Sequence, residues 1–174
     1  MNNYTFQAPM KIIFGQDTLD QIAQEIEGSR IFIVMDRFLY ESPLKTRMDT
    51  ILAEQEIRYF TAFQSNPDFD SINQALREIQ AFDATTVIGI GGGSTLDIAK
   101  FLSAAIKEAK PAEVIKKEGF QKKAKIKTIC IPTTAGTGSE VTNVSVISDY
   151  AAHTKSPFVN DLLFADTALL DSRL

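Results

Sequence analysis

Short apolar runs alternate along the chain with stretches of helical periodicity. The apolar runs lie at 11–14, 30–35, 57–63, 86–90 and 126–131, and the helical patterns at 19–26, 43–55, 72–79 and 98–106. Continuous apolar runs are typical of strands that are buried on both faces. Strands separated by helices of this length predict right-handed crossovers, a parallel sheet and one α/β domain of three layers. In such a fold, ligands bind at the carboxyl ends of the strands.

Composition narrows the class of protein further. The 174 residues are 44% hydrophobic and 23% charged, with a net charge of −4, which suits one ordinary globular domain and predicts no nucleic-acid partner. Six lysines between positions 116 and 127 are predicted to form a solvated loop. The polar N-terminus lacks the form of a signal peptide, and no apolar stretch approaches the about 20 residues that span a bilayer. We therefore expect a cytoplasmic protein without a membrane partner.

The chain contains one cysteine and one histidine. A single cysteine excludes a disulfide framework within the chain and fits a reducing compartment. Cys130 stands inside the apolar run "IKTICIP", which favours a small core residue over a nucleophile. His153 is interpreted as a surface loop residue, because one histidine cannot form a metal site alone.

Three consecutive glycines stand within "VIGIGGGSTLDIAK" at 87–100, between a predicted strand and a predicted helix. At a helix N-terminus the first amides lack intrahelical partners, and the helix dipole is positive there. Glycines let an anion approach these amides without obstruction by a Cβ atom. The segment therefore predicts that Gly92, Gly93 and Ser94 bind a pyrophosphate.

A capped turn is the alternative to anion binding, and two common nucleotide-binding motifs are not matched. Ser94 and Asp97 have the spacing of a capping box, which would make the segment a capped turn, although a capped turn does not require three glycines. The usual dinucleotide fingerprint is not met, because its sixth position is Ser94 and no acidic strand end follows about 20 residues later. The motif of P-loop nucleoside triphosphatases is absent as well.

An acidic residue does follow an earlier strand. Asp36 comes directly after "RIFIVM", where a carboxylate accepts hydrogen bonds from the hydroxyls of an adenosine ribose and repels a 2′-phosphate. A solvated turn is the alternative on local evidence. After the strand at 126–131, "PTTAGTGSEVT" supplies several hydroxyls and glycines, for which a capped turn is again the alternative.

The two segments together closely resemble the iron-containing (group III) alcohol dehydrogenase family. The resemblance rests on "GGGSTLDIAK" and "PTTAGTGSEVT" in this order, on "NP" at 66–67 and on the terminal "LLDSRL", and it covers essentially the whole chain. One departure is Ser172, where the family usually has proline. Glycerol dehydrogenases and dehydroquinate synthases share the fold more distantly. The resemblance implies a Rossmann-like sheet flanked by helices, as in the N-terminal domain of dehydroquinate synthase, over residues 1–174.

The resemblance also implies the roles of individual residues toward NAD, with NADP disfavoured by the acidic residue at position 36. Asp36 and Asn66 would contact the adenosine ribose, and Asp97 would lie close to the cofactor. Lys155 would reach the cofactor, and Leu174 would border it. The implied nucleotide-binding residues are Asp36, Asn66, Gly92, Gly93, Ser94, Asp97, Thr133, Thr134, Thr142, Val144, Lys155 and Leu174.

Family members run to more than twice this length and carry a helical second domain. That domain supplies an aspartate and three histidines, which bind ferrous iron or zinc and polarise the alcohol oxygen during hydride transfer. The expected function is therefore an NAD-dependent alcohol dehydrogenase of which this chain is the cofactor-binding half, inactive alone and part of a homo-oligomer. The alternatives are a non-catalytic nucleotide-binding or assembly module and, more remotely, a dehydroquinate-synthase-like lyase.

Overall fold

A computed structural model describes residues 8–64, 66–150 and 154–174 of the chain. The strands of its main sheet are β1 (Lys11–Gly15), β2 (Arg30–Met35), β3 (Glu56–Phe60), β4 (Thr86–Gly91), β5 (Lys127–Pro132) and β8 (Thr167–Asp171). Between β5 and β8 the chain forms a separate hairpin of β6 (Val144–Asp149) and β7 (Thr154–Val159). The six strands of the main sheet are parallel and lie in the order β1-β8-β5-β4-β2-β3. The predicted parallel α/β sheet is confirmed.

Helices cover both faces of this sheet. They are α1 (Arg37–Tyr40), α2 (Pro43–Ile51), α3 (Phe69–Phe82), α4 (Gly93–Ala105) and α5 (Ala112–Glu118), with short 3-10 helices at Thr18–Gln24, Ser139–Val141 and Asp161–Leu163. Alternate side chains of the strands enter opposite cores. Ile31 and Ile33 pack with Met48 of α2 on one face, whereas Phe32 and Val34 pack with α3 and α4 on the other. The three predicted layers are therefore present.

The strand order places a crevice between the ends of β2 and β4. From β2 the chain proceeds to β3 on one side, whereas from β4 it proceeds to β5 on the other side. This reversal is the topological switch point at which parallel α/β sheets bind ligands. Asp36 follows β2 and Gly92 follows β4, so both predicted residues lie at this crevice.

Several predicted boundaries are wrong. The helix predicted over 43–55 ends at Ile51, and the strand predicted over 57–63 ends at Phe60. As an edge strand, β3 can pair only with β2. The β2–β3 ladder ends where Phe60 pairs with Val34, so the chain after Phe60 has no partner in the sheet. The helical pattern at 19–26 forms a 3-10 helix instead of an α-helix.

The lysine-rich segment is only partly a loop, in contrast to the prediction. Lys116 and Lys117 occupy the last turn of α5, where positive charge complements the helix dipole. Lys125 is partly buried and forms an ion pair of 2.9 Å with Asp166. Lys122 and Lys123 are exposed outside any helix or strand, as predicted. The interpretation of His153 falls outside the described residues.

Candidate nucleotide-binding cleft

Two of the glycines in the strand-to-helix segment are explained by the fold itself. Gly91 has a φ of +152°, and a Cβ there would lie 2.2 Å from Asp36 Oδ2 and 2.7 Å from Thr95 Oγ1. A Cβ on Gly89 would lie 2.8 Å from the Cβ of Ala99, so this glycine allows α4 to pack closely on β4. These two positions require glycine whether or not a ligand binds.

The next two glycines lie at the cleft, opposite the chain segment after β5. Gly92 has an ordinary backbone conformation, and a Cβ there would lie 3.6 Å from Thr134 Oγ1. A Cβ on Gly93 would lie 3.3 Å from the side chain of Thr137. These two glycines therefore keep a gap between the start of α4 and the chain segment after β5.

The first turn of α4 presents main-chain amides to this gap. Gly92 is the N-cap, and no side chain caps the helix, so the capping box of Ser94 and Asp97 is wrong. The amides of Gly93 and Ser94 precede the first intrahelical hydrogen bond, which the amide of Leu96 donates to the carbonyl of Gly92. These two amides and the helix dipole can accept an anion.

Asp36 contacts the glycine segment directly. Its Oδ2 atom accepts a hydrogen bond of 3.2 Å from the amide of Gly92, across 56 positions of the sequence. Asp36 is therefore anchored to the glycine segment, and its contact with a ribose stays a prediction. The same contact occupies the Gly92 amide, so Gly93 and Ser94 carry the main-chain donors that remain for an anion.

The segment after β5 forms the opposite side of the cleft. The amide of Thr133 donates to the carbonyl of Gly91 over 3.0 Å, which joins the two segments where their strands end. Gly136 and Gly138 have φ values of +98° and +65°, and Thr134 is exposed. We call residues 91–94 the glycine loop and residues 133–143 the threonine loop.

An ion pair behind the threonine loop attaches it to α4. Asp97 accepts hydrogen bonds from Ser139 Oγ at 2.5 Å and from the amide of Val146 at 2.9 Å. Lys100, whose side chain is 0% exposed, lies 3.1 Å from Asp97 Oδ1. The ammonium of Lys100 also donates to the carbonyls of Ser139, Thr142 and Val144. The predicted residues Asp97, Thr142 and Val144 are thus brought together, and sequence reasoning missed Lys100, which joins them.

A sequence signal for Lys100 did exist. Position 100 falls on a helix whose residues from Leu96 to Ala105 are otherwise almost all apolar, and it follows Asp97 by one turn. A lysine is rarely buried without a partner. An acidic residue three positions earlier on a buried helix therefore indicates an internal ion pair.

An open cavity of about 410 Å³ continues the cleft toward β8. Thr133, Thr134 and Leu174 line it, together with Glu140, and Leu174 also packs against the core beneath the sheet. The Oε2 atom of Glu140 is buried and has no hydrogen-bond partner among the described residues. Three of the predicted nucleotide-binding residues therefore share one cavity.

Asn66 and Lys155 lie elsewhere, beside the β6–β7 hairpin. Asn66 has a φ of +64°, and its carbonyl accepts a hydrogen bond of 3.0 Å from the hydroxyl of Tyr150. Lys155 is exposed and pairs across the hairpin with Ser148, whose amide donates to the carbonyl of Pro67. Among the described residues, the hydrogen bonds found for Asn66 and Lys155 do not join either residue to the glycine loop.

Other reactive side chains near the site are few. Burial raises the pKa of the Cys130 thiol to about 12, so the thiol stays protonated at neutral pH. Its place in the core agrees with the prediction.

Across residues 8–64, 66–150 and 154–174, no cluster of three or more His, Cys, Asp or Glu side chains can hold a metal ion. None of the helices in these ranges is long and apolar enough to cross a membrane.

A parallel sheet with a glycine-opened helix N-terminus at its switch point defines a Rossmann-like domain. The family model described as iron-containing alcohol dehydrogenase matches residues 9–172, and the chain belongs to that family. The resemblance seen in the sequence is thereby confirmed.

Individual relatives agree with this assignment. The chain is 34% identical over 169 residues to a sulfoacetaldehyde reductase of Bilophila wadsworthia, covering 94% of the chain and 44% of the relative. It is 34% identical over 172 residues to a 1-propanol dehydrogenase of Citrobacter freundii, covering 98% of the chain and 43% of that protein. The chain thus spans less than half the length of these relatives.

A solved structure supports the fold in the same way. The sulfoacetaldehyde reductase of Bifidobacterium kashiwanohense, solved in complex with NAD+, superposes with a TM-score of 0.87 at 27% identity. The match covers 98% of this chain and 46% of that one.

Proposed function

We propose that this chain is the cofactor-binding half of an NAD-dependent, metal-dependent alcohol dehydrogenase, which transfers hydride between an alcohol and NAD+. The observation that carries the proposal is the uncapped start of α4, where the amides of Gly93 and Ser94 face a gap kept open by glycine. Family membership and the NAD+ complex of a relative support the choice of ligand.

The order of strands suggests how the dinucleotide lies. Asp36 after β2, the glycine loop after β4, the threonine loop after β5 and Leu174 after β8 follow one another along one edge of the sheet. We propose that the adenosine ribose lies at Asp36, the pyrophosphate at Gly93 and Ser94, and the nicotinamide riboside toward Thr134 and Leu174. The bound nicotinamide supplies the ring carbon that exchanges hydride with the alcohol.

Each group of the chain has a distinct task in this arrangement. The carboxylate of Asp36 accepts hydrogen bonds from the ribose hydroxyls and repels a 2′-phosphate, which favours NAD over NADP. The Gly93 and Ser94 amides stabilise the pyrophosphate charge together with the helix dipole. The hydroxyls of the threonine loop offer neutral donors and acceptors, which hold the cofactor without adding charge beside the nicotinamide.

The metal enters the proposal only through the family. The described residues offer no cluster of ligands for ferrous iron or zinc. We propose that the chain alone does not turn over, that small alcohols or aldehydes are the substrates of the complete enzyme, and that it acts as a cytoplasmic homo-oligomer. Asn66 and Lys155 remain proposed cofactor contacts.

Titration calorimetry of the chain with NAD+ and with NADP+ tests the proposal directly. We expect saturable one-site binding of NAD+ and weaker binding of NADP+. A chain whose circular dichroism shows it to be folded, but which does not bind millimolar NAD+, would contradict the proposal. Equal affinity for the two cofactors would remove Asp36 from the ribose site. The proposed pyrophosphate site at Gly93 and Ser94 would still stand, because both cofactors contain the pyrophosphate.

A further inference from the structure

The structure assigns a positioning role to Lys100: its buried ammonium holds the threonine loop at the distance from α4 that the nicotinamide half of NAD needs. This inference rests on the proposed function, and it adds a residue that does not itself face the cleft. It predicts that loss of Lys100 weakens binding of the nicotinamide riboside while the adenosine and pyrophosphate contacts are kept.

The hydrogen bonds of Lys100 all end on one short segment. Its Nζ atom lies 2.9 Å from the carbonyl oxygen of Ser139 and 3.4 Å from that of Thr142, and it also donates to the carbonyl of Val144. Asp97 balances the charge at 3.1 Å. An ammonium has three protons to donate, so these acceptors use its full capacity.

Apart from Lys100, the threonine loop is attached mainly near its two ends. Its first residue donates to Gly91, Ser139 Oγ donates to Asp97, and Asn143 contacts Asp161 and Asn160. Between these points residues 134–137 are exposed, and both of its glycines lie in the left-handed region. Without Lys100, the carbonyls of Ser139, Thr142 and Val144 would lose a buried donor, which favours movement of the segment toward water.

Helix α4 serves as a rigid spacer between the two sides of the cleft. It begins with the amides proposed to bind pyrophosphate and carries Lys100 seven positions after Gly93, about 10 Å along the helix axis. The side chain of Lys100 thus fixes the threonine loop relative to the pyrophosphate site. The adenosine site at Asp36 directly follows β2, and the side chain of Asp36 contacts Gly92 rather than this network.

The test compares NAD+ with ADP in the Lys100→Met variant. Methionine fills similar space without a charge. ADP contains only the groups assigned to Asp36 and the glycine loop, so its affinity should stay within about twofold, whereas the Kd for NAD+ should rise about tenfold. Lys100→Gln, which keeps one amide donor, should give an intermediate loss for NAD+.

A matched control separates positioning from loss of stability. Ile79 is fully buried on α3, and the core cluster that contains it includes residues of α4 but none of the glycine loop or the threonine loop. Ile79→Ala should lower the Tm of the chain and leave the affinities for NAD+ and ADP unchanged. Hydrogen exchange of amides 134–143 should accelerate in Lys100→Met relative to Ile79→Ala at equal thermal stability.

Each outcome has a distinct meaning. If the unsubstituted chain does not bind NAD+, the proposed function fails. If the chain binds NAD+ and Lys100→Met binds it with unchanged affinity, the inference on Lys100 is overturned while the function stands. Equal losses for NAD+ and ADP would also overturn it, because they indicate general damage to the domain. Should Lys100→Met not fold, the same comparisons apply to Lys100→Gln.

Discussion

The glycine loop and the threonine loop form the two sides of one cleft, but different forces hold them. The glycine loop owes its shape first to its own backbone, through the positive φ of Gly91 and the start of α4 directly after it, and Asp36 and Thr133 add one hydrogen bond each. The threonine loop is held from behind by Asp97 and Lys100, which lie about 40 positions earlier in the chain. A ligand site can therefore combine one side that is encoded locally with another that depends on distant partners.

The largest expected effect comes from the backbone of the glycine loop. Gly91→Ala would require a strained φ and would place Cβ against Asp36 and Thr95. We expect it to lower the free energy of unfolding by about 3 kcal/mol. Urea denaturation measures this loss, and Gly92→Ala, whose Cβ meets only ordinary contacts, is the matched control. A similar stability for both variants would show that backbone strain does not shape this loop.

The next effect concerns binding. Gly93→Val would fill the gap in front of the Gly93 and Ser94 amides, and loss of their charge-assisted hydrogen bonds should weaken NAD+ binding about 100-fold. Calorimetry of the variant measures the loss. Ala23→Val, at an exposed position in the 3-10 helix after β1, provides a control in which affinity should not change. An affinity within about twofold of the unsubstituted chain would contradict the proposed pyrophosphate position.

A smaller effect tests the single side chain that contacts the glycine loop. Asp36→Gly removes the carboxylate that accepts from the Gly92 amide and repels a 2′-phosphate. We expect the preference for NAD+ over NADP+ to fall about tenfold. The ratio of the two dissociation constants measures this change. If the ratio is unaltered, the ribose lies elsewhere and Asp36 serves the loop alone.

The smallest effect depends on pH and concerns the elements beside the threonine loop. Asp68 caps α3 and forms a bridge with Ser148 of β6. The Ser71 hydroxyl, and then its amide, hold the pKa of Asp68 below its ordinary value of 3.8. A lowered pKa stabilises the fold above pH 3.8, and that contribution is lost as the pH falls through the folded-state value.

Asp68→Asn therefore separates the charge of this cap from its hydrogen bonds. Asparagine is an equally good N-cap, so only the charge contribution, less than about 1 kcal/mol, should disappear at pH 7. Urea denaturation at pH 7 and near pH 3 should show a difference between variant and parent that shrinks in acid. A difference that does not change with pH would mean that the charge of Asp68 contributes nothing.

Local patterns predicted much of the fold and one side of the site. The strands at 30–35 and 86–90 are recognisable because buried parallel strands are continuously apolar, and the glycine loop is recognisable because few other structures use consecutive glycines. Helix α5 escaped prediction because only Ala112 and Ile115 of its seven residues are buried. The hairpin partner β7 escaped because its residues alternate between exposed and buried without a clear apolar pattern.

The sequence by itself determined the parallel α/β class, the family and the position of Asp36 and the glycine loop near the strand ends. Only the tertiary structure decided which glycines serve packing and which face the cleft, that Asp36 occupies the Gly92 amide, and that Lys100 holds the threonine loop. The reason is physical: strands, turns and helix starts follow from neighbouring residues, whereas a buried ion pair depends on contacts between segments that fold together from distant parts of the chain.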